Sequence, residues 1–405
     1  MEEKIGEKTR PAGMQTRAVH AGDRKPLEGF VPVTTPIYTA SSFIYPDIEQ
    51  LDKVFGHEAD GPSYSRFRNP SNDALEELMA SLESGAGALA CSSGMAALQV
   101  AVATALMDRR KCVVAAESLY GATINLLMKV FDPMGVQVKF VDFCNPDALN
   151  RAVIDAKPGA LLMETITNPI LRVAGVDRIA PLARSAGAAL IVDNTFATPL
   201  IMRPLEIGAN FVVHSLTKYL AGHGDVLGGM VIADQENLEP LRAYSRIVGP
   251  VLGPFEAYLA MRGIKTFPLR MERQCANACR IAGALASNPA VDRVYYPSDP
   301  RHPDADTIRR LFAPNLYGAV VSFELKDAGR TEVFRFMNAL KTIVPATSVG
   351  DVHSMILYPH MSSHREVSPK HRERMGIRES LVRLSAGIEE VDDIIADLEH
   401  ALGVR

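Results

Sequence analysis

The chain has 405 residues, 47% hydrophobic and 22% charged, with no Trp, proportions that exclude wholesale disorder, a collagen-like repeat and a coiled coil. Lys and Arg number 43 against 47 for Asp and Glu, a net charge of -4, so the charge balance gives no reason to expect nucleic acid or an anionic membrane as partner. The length predicts roughly two or three domains rather than one core.

In chain order, the opening MEEKIGEKTRPAG is charged and lacks the apolar centre of a secretory signal, so it reads as a solvated tail. No window holds the run of about 18 apolar residues that a membrane span needs. Residues 14 to 70 are rich in Pro, Thr, Ser and Tyr (VPVTTPIYTASSF, DGPSYSRFRNP) and carry little helical periodicity; they read as an extended arm lying across something. From Pro70 the texture changes. SNDALEELMASLES opens on a capping residue and continues with Leu and Met at helical spacing. Short apolar runs then alternate with amphipathic segments: GALACS and GMAALQVAVATAL, KCVVAA and ATINLLMKVF, VQVKFVDF and PDALNRAVIDA, GALLMET and VDRIAPLARSAG, then AALIVDN and NFVVHS. That alternation predicts an α/β domain with a mainly parallel sheet covered on both faces. Near 255 to 265 it breaks, and AVVSFEL, TEVFRFMNAL, SLVRLSAG and EVDDIIADLEHAL predict a smaller α+β unit with a short antiparallel sheet.

In parallel sheets of this kind the chemistry collects beyond the carboxyl ends of the strands. Three such ends carry polar residues here: Glu164 to Asn168, Asp193 to Thr195, and His214 to Lys218. Lys218, in HSLTKYLAGHGDVLGG, follows a buried strand; burial disfavours the charged form and frees an amine for Schiff-base chemistry, although a surface lysine on a loop would look the same. Asp193 ends AALIVDN and is a candidate metal ligand, base or partner of a cofactor ring nitrogen, or simply a helix cap. A lysine and an acid together are what pyridoxal phosphate requires. Cys91-Ser92-Ser93-Gly94-Met95-Ala96 joins a strand to a helix with small residues, leaving backbone N–H groups free to face an anion. Neither G-x-G-x-x-G nor a Walker A sequence occurs, so nucleotide readings lack support, and no G-x-S-x-G elbow favours a hydrolase.

Tyr120 follows KCVVAAESL and could stack on a planar cofactor or pack in the core. Arg383, in ESLVRLSAG, could clamp a carboxylate bidentately or stand exposed on a strand. His353, His360 and His364 lack nearby acidic ligands, so no metal is assigned to them. The five cysteines, at 91, 112, 144, 275 and 279, are an odd and scattered set that predicts free thiols in a reducing cytoplasm. Cys275 and Cys279 are four apart, but no second ligand pair lies nearby, so helix packing is expected rather than zinc.

Taken together, YSRFRNP, SSGMAA, LYG, ETITNP, VDNTFATP, HSLTKYLAGHGDVLGG and RLSAGIE resemble, in this order and over nearly the whole chain, the Cys/Met-metabolism family of pyridoxal-phosphate enzymes. That family includes cystathionine γ-synthase, the cystathionine lyases, methionine γ-lyase and the homoserine-ester sulfhydrylases. The resemblance implies the fold-type I, aspartate aminotransferase-like architecture. It divides the chain into an arm (1–69) contacting a neighbouring subunit, a large cofactor-binding domain (70–260) and a small C-terminal domain (261–405). It implies that Lys218 is the Schiff-base lysine, that Asp193 partners the pyridine nitrogen, and that Tyr120 stacks on the ring and serves as an acid near the leaving group. Gly94, Met95, Ser215 and Thr217 would hold the phosphate, joined by Tyr64 and Arg66 from a neighbouring subunit of a homotetramer. Arg383, Ser348 and Asn168 would receive the α-carboxylate of a small amino-acid substrate.

Two positions depart from the subfamilies. Ala122 stands where methionine γ-lyases characteristically carry Cys, and Thr347 where cystathionine-handling members tend to have Glu. The expected activity is γ-elimination of L-methionine or L-cystathionine to an α-keto acid, ammonia and a thiol. The alternative is γ-replacement on an O-acyl-homoserine, and a non-catalytic protein on the same scaffold conflicts with the presence of Lys218, Asp193, Tyr120 and Arg383.

Overall fold

A computed structural model describes residues 12–403 apart from 28 and 57; the charged opening segment lies mostly outside the described residues. The short apolar runs form seven strands: β1 (Gly87–Cys91), β2 (Cys112–Ala116), β3 (Gln137–Val141), β4 (Ala160–Glu164), β5 (Ala189–Asp193), β6 (Phe211–Ser215) and β7 (Gly229–Ala233). They order as β1-β7-β6-β5-β4-β2-β3. Strands β3, β2, β4, β5 and β6 pair in parallel, whereas β7 runs antiparallel to both β1 and β6. Every residue of β2, β4 and β7 is buried, as a sheet covered on both faces demands.

Local chemistry starts the covering helices. Pro70–Glu83 begins with Asn69 accepting the Ser71 N–H at 2.9 Å and Pro at the first position, where a missing N–H costs nothing. It packs on β1. Gly94–Leu106 begins with Ser93 accepting the Ala96 N–H at 3.1 Å and packs on β6 and β7, which aims its N-terminus at the carboxyl end of β6.

The second sheet has β8 (Val291–Tyr295), β9 (Val320–Leu325), β10 (Val344–Pro345), β11 (Met355–Leu357) and β12 (Leu381–Ser385), ordered β10-β11-β12-β9-β8. Its pairings are antiparallel except β10 with β11. The buried apolar side chains form two clusters. The first runs from Ala18 to Leu381 and the second from Ala278 to Leu402, and they exchange along one helix, Phe267–Ser287, between Cys275 and Ala278.

The arm differs from the expectation of an extended segment, since it holds two short helices, Met14–His20 and Ile48–Phe55. The second is started by Asp47, whose carboxylate accepts the Gln50 N–H at 2.7 Å. At eight residues it is too short to impress a clear period on the surrounding Pro- and Ser-rich sequence. Several apolar side chains of the arm stand in solvent, among them Ile44 (96% exposed), Val33 (77%) and Ile48 (70%).

Candidate active site

The ends of β4, β5 and β6 open onto a cavity of about 220 Å³. Ten of the twelve residues singled out from sequence line it: Lys218, Asp193 and Tyr120; Gly94, Met95, Ser215 and Thr217; and Arg383, Ser348 and Asn168. Tyr64 and Arg66 do not. The Arg66 guanidinium reaches instead to the Arg246 carbonyl and lies over the Phe67 ring.

Lys218 lies just beyond β6, and its Nζ donates to Ser348 Oγ at 2.9 Å. Burial, and then the nearby Arg383 guanidinium, bring its pKa down from 10.5 to about 8. At pH 7 roughly a tenth of such amines are neutral, against a few in ten thousand at the ordinary value. The loop after Lys218 is held from below by Arg270 on the helix Phe267–Ser287. Its guanidinium donates to the carbonyls of Tyr219 (2.8 Å), Leu220 (3.1 Å) and Gly263 (2.8 Å). Gly222 adopts φ +73°, and a Cβ there would run into the same guanidinium, so glycine is required on both counts.

Asp193 closes β5 and is half-buried. Its Oδ1 accepts the Thr195 N–H at 3.0 Å; burial raises its pKa against that hydrogen bond. Thr195 Oγ1 in turn accepts the Ser215 N–H at 3.0 Å, tying the ends of β5 and β6 together. Arg383, on β12, is 3% exposed. It donates through Nη1 to Asn168 Oδ1 at 2.9 Å and through Nη2 to the Ser348 carbonyl at 3.3 Å, and its Nε has no partner. Burial draws its pKa down to about 10, a desolvated cation that an incoming anion would compensate.

Some neighbouring residues were not singled out. Glu164, the last residue of β4, accepts the Tyr120 N–H at 2.6 Å and the Asn168 N–H at 2.9 Å; its place at an apolar strand end was the available signal. Behind the sheet, Glu83 Oε1 meets His214 Nε2 at 2.5 Å and accepts from Asn194 Nδ2 at 2.8 Å, while Asn194 Oδ1 accepts from Thr165 Oγ1 at 2.7 Å. This buried network joins the helix Pro70–Glu83 to the ends of β4, β5 and β6. No local sequence signal announces it, because Glu83 lies 131 residues from His214.

The three C-terminal histidines have separate settings. His353 Nδ1 is 2.9 Å from Asp351 Oδ1, and His360 stacks on Tyr358. Burial lowers the pKa of His364 to about 4, so it is neutral and donates to the Leu119 carbonyl at 3.3 Å. Among the described residues no group of His, Cys, Asp or Glu is set to hold a metal. All five cysteines are unpaired, Cys275 buried and Cys279 exposed on one helix. No helix among the described residues is long and apolar enough to cross a membrane.

The family model for Cys/Met metabolism PLP-dependent enzymes matches residues 15–403. The chain belongs to that family. It is 40% identical over 400 residues to an L-methionine gamma-lyase of Fusobacterium nucleatum subsp. polymorphum, covering 97% of this chain and 99% of the relative. An O-succinylhomoserine sulfhydrylase of Pseudomonas aeruginosa is 36% identical over 393 residues, covering 96% and 95%. Among solved structures, a putative O-acetylhomoserine (thiol)-lyase of Campylobacter jejuni superposes with a TM-score of 0.90 at 26% identity, covering 97% of this chain and all of that one. That structure contains N'-pyridoxyl-lysine-5'-monophosphate. The expected fold-type I architecture and pyridoxal-phosphate dependence therefore stand.

The cavity fits the cofactor of the family. Gly94 opens the helix Gly94–Leu106, and a Cβ there would come within 3.0 to 3.2 Å of Ser215, so glycine keeps space free between the helix N-terminus, a favourable place for an anion, and Ser215. An amine, a carboxylate and hydroxyls around one space are the donor set such a cofactor takes.

Proposed function

We propose that this enzyme carries out γ-elimination on a sulfur-containing amino acid, L-methionine or L-cystathionine, releasing an α-keto acid, ammonia and a thiol. The observation that carries the reading is the convergence on one cavity of a half-buried amine with depressed pKa, Lys218, and a desolvated guanidinium whose Nε has no partner among the described residues, Arg383. Pyridoxal phosphate, when bound, supplies an electrophilic carbonyl and an electron-accepting ring. Lys218 would hold the cofactor through its amine and take the proton from the substrate Cα. Asp193 would hold a proton at the cofactor's ring nitrogen. Gly94, Met95, Ser215 and Thr217 would bind the phosphate. Arg383, Asn168 and Ser348 would hold the substrate carboxylate and so orient its Cα–H toward Lys218. Tyr120 would give a proton to the departing thiolate.

Elimination is preferred because methionine γ-lyases stand among the most similar relatives. Ala122, in place of the cysteine characteristic of methionine γ-lyases, and the sulfhydrylase relative favour the second reading, γ-replacement on an O-acyl-homoserine. The division into arm, large domain and small domain at 69/70 and 260/261 belongs to the same proposal. So does a homotetramer in which Tyr64 and Arg66 complete a neighbour's phosphate site. Its support is that these two residues lie away from their own cavity while the arm exposes Ile44, Ile48 and Phe55. A reducing cytoplasm fits five unpaired cysteines.

A product screen tests the activity. The purified enzyme is offered methionine, cystathionine, cysteine and O-acyl-homoserines, with and without sulfide. The expected result is α-keto acid and ammonia from methionine or cystathionine without sulfide. Sulfide-dependent product from an acyl-homoserine alone overturns elimination in favour of replacement.

A further inference from the structure

Glu164 is 7% exposed, and its two carboxylate oxygens accept from backbone N–H groups rather than from a side-chain cation. Oε1 accepts the backbone N–H of Tyr120, which lies beyond the end of β2; Oε2 accepts the backbone N–H of Asn168, four residues further along its own chain. Asn168 Oδ1 then accepts Arg383 Nη1. One carboxylate thus spans two separate loops, one presenting the Tyr120 ring and the other carrying the amide that orients the guanidinium.

The carboxylate sits beside Asp193, its register partner across β4 and β5, and burial together with that neighbour raises its pKa. Its burial next to a second acid is costly, and a neutral polar residue would avoid the charge. A glutamine there has one oxygen and would set its NH₂ against one of the two N–H donors. A two-oxygen acceptor is what this spacing uses.

We propose that Glu164 is a positioning residue that fixes the Tyr120 ring and the Asn168–Arg383 pair relative to one another, and thereby sets how tightly the site holds an α-amino acid by its carboxylate. The proposal rests on the reading of Arg383 and Asn168 as the carboxylate receptor. Loss of Glu164 acts through Asn168: with one N–H released, the Asn168 amide no longer holds the guanidinium at its present angle, and carboxylate binding weakens. Hydrogen bonds to charged groups of this kind correspond to about tenfold or more in affinity.

The test is equilibrium binding of L-norleucine, which has the amine and carboxylate but no leaving group at Cγ, to cofactor-loaded enzyme, followed by the cofactor's visible absorption. Four proteins form a double-mutant cycle: wild type, Glu164→Gln, Asn168→Ala and the double variant. Each single change should weaken norleucine about tenfold or more, and the double variant should bind within about twofold of the weaker single one, because both changes remove one linkage. A general loosening of the site predicts multiplying losses. Multiplying losses, or a Glu164→Gln affinity within twofold of wild type, overturn the proposal. Arg383→Lys separates it from the reading beneath: unchanged norleucine affinity there overturns the carboxylate receptor itself, whereas a loss there with no loss in Glu164→Gln overturns the role of Glu164 alone. If Glu164→Gln does not accumulate as folded enzyme, the same cycle is read with Glu164→Asp, whose shorter arm reaches at most one of the two N–H groups.

Discussion

The strand-end cavity and the N-terminal arm are built on opposite terms. In the cavity the polar side chains answer to other parts of the same chain: Lys218 to Ser348, Asp193 to Thr195, Arg383 to Asn168. In the arm, Ile44, Val33 and Ile48 face solvent, and Tyr64 and Arg66 lie outside their own cavity. A cluster of exposed apolar groups on one segment is the mark of a surface meant to be covered. Substitutions in the cavity should therefore damage each chain by itself, while substitutions in the arm should damage only the assembly.

The largest effect expected is from Lys218→Ala. It removes the covalent hold on the cofactor and the base together, so turnover should fall by about a thousandfold or more, with far-ultraviolet circular dichroism unchanged. Near-normal product formation in that variant would rule out Lys218 as the reacting amine. Next comes His214→Ala, which takes from the buried Glu83 its closest hydrogen-bond partner and leaves it Asn194; a buried polar group left short of a partner costs about 1–3 kcal/mol. Urea unfolding should show it as a lower midpoint at unchanged slope, whatever the protein concentration. Equal stability would mean that water replaces the imidazole.

The arm gives smaller and more conditional effects. Arg66→Ala should weaken cofactor retention about ten- to hundredfold, the range for a charge-assisted phosphate contact. Mixing inactive Arg66→Ala chains with inactive Lys218→Ala chains and allowing subunits to exchange should restore some activity, since some hybrid sites combine an intact lysine with an intact arginine. No recovery after exchange places both residues in one chain's site and removes the distinction between arm and cavity. Least in size is a pH effect on the cavity alone. Only neutral amine reacts with the cofactor's aldehyde, so capture of pyridoxal phosphate by cofactor-free enzyme should speed up about fivefold from pH 7 to 8, where Lys218 loses its proton, and level off near pH 9 at about tenfold in all. A rate still climbing steeply at pH 10 would mean that the amine is solvated rather than buried.

Much of the cavity was legible because its residues sit at strand ends or in glycine-rich turns, where a short local pattern reports both structure and chemistry. Lys218, Asp193 and Gly94 are of that kind. Glu164 had the same placement, but its partners are backbone N–H groups, which no sequence pattern displays. Arg270 and the Glu83–His214 pair work across 50 and 131 residues, and such contacts exist only once the sheet has ordered itself. The antiparallel β7 meets the same limit: GGMVIA forms a buried strand whose direction depends on where the preceding glycine-rich loop turns. The arm was read as extended because its helices Met14–His20 and Ile48–Phe55 are too short to outweigh the turn-forming residues around them.

The two apolar clusters exchange along the helix Phe267–Ser287. At 21 residues and about 1.5 Å per residue it is a shaft of roughly 30 Å, with Met271 and Cys275 in one cluster and Ala278, Ile281 and Leu285 in the other. Neither cluster can come apart without stripping one end of this helix, and a helix bared on its apolar side does not persist in water. Arg270, on the same shaft, pins the loop that follows Lys218. Melting is thus a shared event: heat that loosens the C-terminal cluster also releases Lys218, and loss of activity and loss of structure should run together rather than in two stages.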